Sequence, residues 1–223
     1  MTSTEILLIR HGETAWNAGK RLQGHWDIAL NAQGQMQADA LGHALRAEPL
    51  AAIISSDLQR AQQTAQALAA RQTQAGAQKV VSDAGLRERC YGAFEGLYYS
   101  DISQRYPAAF AAWQERDIDA IFPPGERAGE SFRNFYARSV TAILHWARQY
   151  PGQKIALVAH GGVLECAYRA ALGLPLSTPR DFPVLNASIN RLRLDGDVLQ
   201  LISWGEVAHL DHMALDEVDQ RVP

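Results

Sequence analysis

Glu5-Ile6-Leu7-Leu8-Ile9-Arg10-His11-Gly12 opens the chain with four aliphatic residues in a row that stop at a charged pair and a glycine. A short apolar run closed by a turn residue predicts a buried strand over 5–10. Comparable short strands are expected at 51–55, 79–82 and 154–159, the last reading Lys-Ile-Ala-Leu-Val-Ala. Helical patterns separate them. Met36, Ala40, Leu41, Ala44 and Leu45 recur at helical spacing within 33–47, with Pro49 just past the end. Asp57 is the expected N-cap of an Ala- and Gln-rich helix running to about Arg71. A long helix is predicted over 130–149 and another after Gly162, whereas 12–32 reads as a loop.

Strands alternating with helices predict crossover units on a parallel sheet. Segments 186–194 and 198–204 differ, alternating in polarity and meeting at Asp195-Gly196-Asp197, so they predict a hairpin. Both of its strands are expected to differ in direction from the rest. The fold class that follows is α/β: a three-layer sandwich with helices on both faces of a mostly parallel sheet and an antiparallel edge. Residues 97–130, aromatic-rich and irregular, read as an inserted cap within a single domain over 1–223.

Composition narrows the function. Lys plus Arg number 21 against 24 Asp plus Glu, a net charge of −3, which argues against nucleic acid as a partner. No stretch approaches the roughly 18 apolar residues of a membrane span. The run 6–9 is too short for a secretion signal. Two cysteines, Cys90 and Cys166, make no disulfide framework, so a cytoplasmic location is expected. The exposed hairpin edge could pair with a second copy as a homodimer.

In open parallel sheets, ligands bind beyond the carboxyl ends of the strands. There the sequence sets Arg10, His11 and Gly12 after the first strand, and Ser55, Ser56, Asp57 and Arg60 after the second. Glu88 follows the third strand, and His160, Gly161 and Gly162 follow the 154–159 strand. Two guanidiniums present forked, permanent donors suited to phosphate oxygens. Two imidazoles add donors or a nucleophilic nitrogen. A dianionic phosphate is the expected occupant and a divalent metal is not, since Arg10 and Arg60 would repel it and hard cations want several carboxylate oxygens.

The motifs carry a resemblance. Leu8-Ile9-Arg10-His11-Gly12-Glu13-Thr14 with Trp16-Asn17, Ser55-Ser56-Asp57-Leu58-Gln59-Arg60-Ala61, Leu86-Arg87-Glu88-Arg89 and Val158-Ala159-His160-Gly161-Gly162 occur in order. Together they resemble the histidine phosphatase superfamily, also called phosphoglycerate mutase-like. The resemblance implies that His11 is the nucleophile, forming a phosphohistidine. It implies that Arg10, Arg60 and His160 bind the phosphoryl oxygens, and that Glu88 acts first as general acid and then as base. Asn17, Gln23 and Gly24 would line the same pocket, and neither metal nor other cofactor would be used. Adjacent arginines should hold the His11 imidazole neutral, and Glu88 should keep a proton near neutral pH.

Other residues have plainer readings. His209 and His212 could pair on a metal, but lack a third ligand and read as a polar tail. His25, His43 and His145 read as surface or helix residues, Asn186-Ala187-Ser188 as a strand start, and the cysteines as small buried residues.

Hydrolase and mutase both belong to such a family. The cap carries Arg105, Arg116 and Arg127 against Asp101, Glu115, Asp117, Asp119, Glu126 and Glu130, with many aromatics. An acidic, aromatic cap suits a bulky phosphomonoester of low charge, so a phosphatase acting on a small phosphorylated metabolite is expected. The alternatives are a bisphosphoglycerate-dependent mutase and a phospho-ligand-binding module without turnover.

Overall fold

A computed structural model of the protein describes residues 2–73, 77 and 79–210. Six strands form one sheet: β1 (Thr4–Arg10), β2 (Leu50–Ser55), β3 (Val80–Ser82), β4 (Lys154–Ala159), β5 (Ile189–Asp195) and β6 (Val198–Glu206). Their spatial order is β3-β2-β4-β1-β5-β6. The first four run parallel, while β5 runs antiparallel to both β1 and β6. Two antiparallel pairings in succession restore the direction, so only one strand of the hairpin is reversed, not both as its pattern predicts.

Side chains alternate across each strand, and the two periodic sets meet different helices. Ile6, Leu8, Ile155 and Leu157 face α6 (Phe132–Gln149) and α7 (Gly161–Leu172), where Phe135, Ile143, Val163 and Leu164 complete the packing. Leu7, Ile9, Ala156 and Val158 face α2 (Ala32–Ala44) and α3 (Gln59–Ala69), meeting Leu41, Ala61, Ala65 and Leu68. The four-aliphatic runs are continuous because both faces are covered.

Three local expectations need correction. Asp57 does not cap α3: the N-cap residue is Leu58, with no side-chain cap bond, and Asp57 turns to Arg87 at 2.7 and 2.6 Å. That bidentate pair depresses the Asp57 pKa. Residues 12–32 hold a short helix, α1 (Ala15–Ala18), begun by a capping box in which Thr14 and Asn17 serve each other's backbone amides. Residues 97–130 contain α4 (Tyr99–Arg105) and α5 (Pro107–Gln114). These rest on a separate apolar cluster of Leu22, Phe94, Ile102 and Phe122, with Tyr106, Phe110 and Trp113 against it. Two of those residues precede position 97, so the cap's core is partly built from the body's own loops.

The loop leaving β1 is pinned against the start of α2. A Cβ on Gly34 would sit 2.7 Å from the Glu13 amide nitrogen and overlap the Glu13 carbonyl oxygen, while one on Gly12 would come within 3.1 Å of the Gly34 Cα. Within a helix, Gly to Ala usually adds up to about 1 kcal/mol of stability. Here the obstructing atoms are backbone and cannot step aside, so Gly34→Ala is expected to lower stability by roughly 1–3 kcal/mol in urea unfolding. A raised midpoint would contradict the contact.

Candidate active site

Strand ends set the geometry. β1 delivers Arg10 and His11, the turn into α3 delivers Ser56 and Arg60, a 3-10 turn at Ala84–Leu86 leads to Glu88, and β4 ends on His160. One pocket is lined by Arg10, His11, Asn17, Gln23, Gly24, Arg60 and Glu88, together with Arg21, Leu22, Tyr91 and Tyr99. Seven of the eight residues read from the sequence therefore share one cavity. The eighth, His160, is fully buried behind it.

His11 is held from both sides. Its carbonyl accepts from Asn186 Nδ2 at 2.9 Å and from the Ala187 amide at 3.2 Å, while the neighbouring Gly12 amide donates to Thr64 Oγ1 at 3.0 Å. Its ring Nδ1 lies 2.7 Å from the Gly12 carbonyl. A carbonyl only accepts, so Nδ1 carries the proton and the lone pair is on Nε2. Burial, then the charges of Arg60 and Arg10, hold the imidazole pKa well below its ordinary value.

The two arginines are 1–2 % exposed. Arg60 donates through Nη1 to the Trp26 carbonyl and through Nη2 to the Gly24 carbonyl, each at 2.8 Å, and through Nε to His160 Nδ1 at 3.2 Å. Burial lowers its pKa to about 10, which still leaves it charged at neutral pH. Arg10 donates to the Val184 carbonyl, and its buried Nε has no partner among the described residues. Asn17 turns its Oδ1 toward Thr14, whose hydroxyl lies 3.0 Å from both Asn17 Oδ1 and Gln23 Oε1.

His160 lies behind these lining residues, with both ring nitrogens turned to protein partners. Because Arg60 donates into Nδ1, the neutral ring carries its proton on Nε2 and donates it to Ser56 Oγ at 2.8 Å. Its ring centroid is 5.1 Å from that of His11, at 61°. It orients Arg60 from behind, and burial with the Arg60 charge depresses its pKa strongly.

Glu88 is fixed through its backbone as much as its side chain. Its Oε1 accepts from the Arg89 amide at 2.8 Å and its Oε2 from the Gly162 amide at 3.1 Å. A Cβ on Gly162 would overlap Glu88 Oε1 and come 2.9 Å from the Phe135 ring, so only glycine allows this approach. Arg138 on α6 donates to the carbonyls of Gly85, Arg87 and Glu88 at 2.9, 3.0 and 3.2 Å, and Glu130 neutralises it from 2.9 Å. His25 Nε2 also donates to the Glu88 carbonyl at 2.7 Å, so His25 is a half-buried brace of the site and not the ordinary surface residue expected. Glu95 instead accepts from the His25 and Tyr91 amides and stays outside the lining.

Arg138, Arg21 and Asn186 escape sequence reading because their partners are main-chain carbonyls, which carry no motif. Asn186 and Ser188 are fully buried, and Asn186 with Ala187 supports His11 through its carbonyl. His209 bonds the Ala187 carbonyl at 3.0 Å, and its suggested companion His212 lies outside the described residues. Among the described residues, no three or more His, Cys, Asp or Glu cluster as a metal site, and no helix is long and apolar enough to cross a membrane.

Residues 6–207 match the sequence model of the histidine phosphatase superfamily (branch 1). The chain belongs to that family. This histidine phosphatase is 39 % identical to phosphoglycerate mutase-like protein 4 of Arabidopsis thaliana, over 93 % of its length and 87 % of that protein's. It is 36 % identical to a metal-independent phosphoserine phosphatase of the same plant, over 93 % and 83 %. The solved structure of Bacillus stearothermophilus YhfR superposes with a TM-score of 0.82 at 31 % identity, covering 92 % of this chain and 98 % of that one. The family includes phosphatases such as that phosphoserine phosphatase, and the fold is the phosphoglycerate mutase-like one.

Both site histidines are held neutral when folded, whereas unfolded histidines take up protons below about pH 6.5. The unfolded state therefore binds more protons, and stability falls as pH drops below about 6.5 until the folded rings themselves protonate. The slope is at most about 1.4 kcal/mol per pH unit for each ring. Urea midpoints between pH 7.5 and 5 should show this loss, and His160→Gln should lessen its slope. A stability independent of pH across that window would contradict the assignment.

Proposed function

We propose that this histidine phosphatase hydrolyses a small phosphorylated metabolite through a phosphohistidine on His11, without a metal ion. The observation that carries the reading is the His11 tautomer. The Nδ1–H donates to the Gly12 carbonyl, which leaves the Nε2 lone pair beside two buried guanidiniums. A neutral imidazole nitrogen next to fixed positive charge is what attack on a phosphoryl dianion needs.

In the first step Nε2 attacks phosphorus and the bond to the leaving oxygen breaks, with Glu88 giving that oxygen its proton. Each Glu88 oxygen keeps a lone pair beyond its amide bond, so protonation does not require either amide to move. Arg10, Arg60 and Asn17 hold the non-bridging oxygens and stabilise their charge, the part that magnesium plays in kinases. In the second step Glu88 takes a proton from water, which attacks the phosphohistidine and releases inorganic phosphate. The net reaction consumes one water and yields the alcohol and phosphate.

Hydrolysis of p-nitrophenyl phosphate is expected to persist in excess EDTA. His11→Ala should lower kcat by roughly 10³-fold or more and abolish the acid-labile phosphoenzyme. Glu88→Gln should cost alkyl phosphates about 10²–10⁴-fold but p-nitrophenyl phosphate far less, because that leaving group departs without a proton. Full turnover by the His11 variant, or an absolute need for magnesium, would overturn the mechanism. Isomerisation of 3-phosphoglycerate with added bisphosphoglycerate, outpacing phosphate release, would favour the mutase reading.

A further inference from the structure

A second recess, partly open to solvent, lies next to the phosphoryl pocket. The two share Tyr91, and the recess is bounded by Gly162, whose amide holds the Glu88 carboxylate. Glu88 therefore stands between them. An ester whose phosphoryl group faces His11 and whose leaving oxygen reaches Glu88 has the rest of its alcohol directed into this second space.

The walls say what that alcohol is. Five rings contribute: Tyr91, Trp113 and Phe122 from the cap side, Phe132 and Phe135 from α6. The charged lining residues are two of each sign, Arg89 and Arg116 with Asp117 and Glu165. Arg116 already lies 2.5 Å from Glu165. Arg89 is spent on the carbonyls of Glu130 and Ala120 and lies 4.3 Å above the Phe122 ring. Arg116 is held by a carboxylate and Arg89 by carbonyls, and a flat apolar ring finds aromatic faces and edges on these walls.

We propose that this recess is the leaving-group subsite and selects phosphomonoesters of uncharged, ring-bearing alcohols over those of small acids such as phosphoserine or phosphoglycerate. The proposal rests on the phosphatase reading above, and its test separates the two. Wild-type protein is assayed on ethyl phosphate, 2-phenylethyl phosphate and O-phosphoserine, whose alkyl leaving groups are alike in needing protonation. Affinities for ethylphosphonate and 2-phenylethylphosphonate, which cannot be hydrolysed, are measured by calorimetry.

The phenyl compounds should be favoured at least tenfold, in KM more than in kcat and equally in phosphonate affinity. Trp113→Ala and Phe122→Leu should each shrink that ratio. Equal affinities for the two phosphonates, or preferential hydrolysis of O-phosphoserine, would overturn the proposal. Should the variants fail to fold, the wild-type ratios still decide. If none of the esters is hydrolysed the phosphatase reading falls, while the phosphonate affinities still judge the recess.

Discussion

Two positive charges are buried at the carboxyl edge of the sheet. Arg10 and Arg60 spend their donors on carbonyls and on a neutral histidine, and one Arg10 nitrogen has no partner among the described residues. Burying a guanidinium costs several kcal/mol, which packing elsewhere has to offset. That cost is also the site's source of affinity: an arriving dianion meets positive charge already fixed in place. Burial, reinforced by the same charges, holds both imidazoles neutral, so the arginines serve binding and nucleophile protonation together.

Rigid support follows from this constraint. His11 follows a strand buried from Ile6 to Arg10 and is caught at its own carbonyl by Asn186 and Ala187, from the segment entering β5. Glu88 lies on a stretch without regular structure, where Arg138 and His25 grip successive carbonyls. Precision at a loop-borne acid thus comes from side chains on a helix and a turn. Glycine enters where backbones must nearly touch, at Gly12 against Gly34 and at Gly162 against Glu88.

The cap adds selection to this chemistry. Its helices rest on an aromatic cluster shared with Leu22 and Phe94, and Arg116 ties it to Glu165 near the start of α7. Glu165 in turn is held by Arg169 at 2.8 Å. The cleft between cap and body is therefore a recess with fixed walls on one side of the acid, and its aromatic lining differs in kind from the polar pocket on the other.

The sequence by itself determined the parallel strands, the helices between them and the seven residues that share a pocket. Continuous aliphatic runs ending in Arg-His-Gly and His-Gly-Gly have one stable arrangement: buried strands with their polar ends on one rim. Tertiary structure alone decided the rest. His160 stands behind Arg60 because Ser56 and the Arg60 Nε occupy its two nitrogens, an arrangement between residues about a hundred positions apart. Asp57 abandoned its cap for Arg87, His25 and Asn186 became supports of the site, and β6 returned to the common direction, each through a partner distant along the chain. Hydrogen bonds to main-chain carbonyls leave no trace in residue identity, so such roles become visible only once the backbone has been brought together.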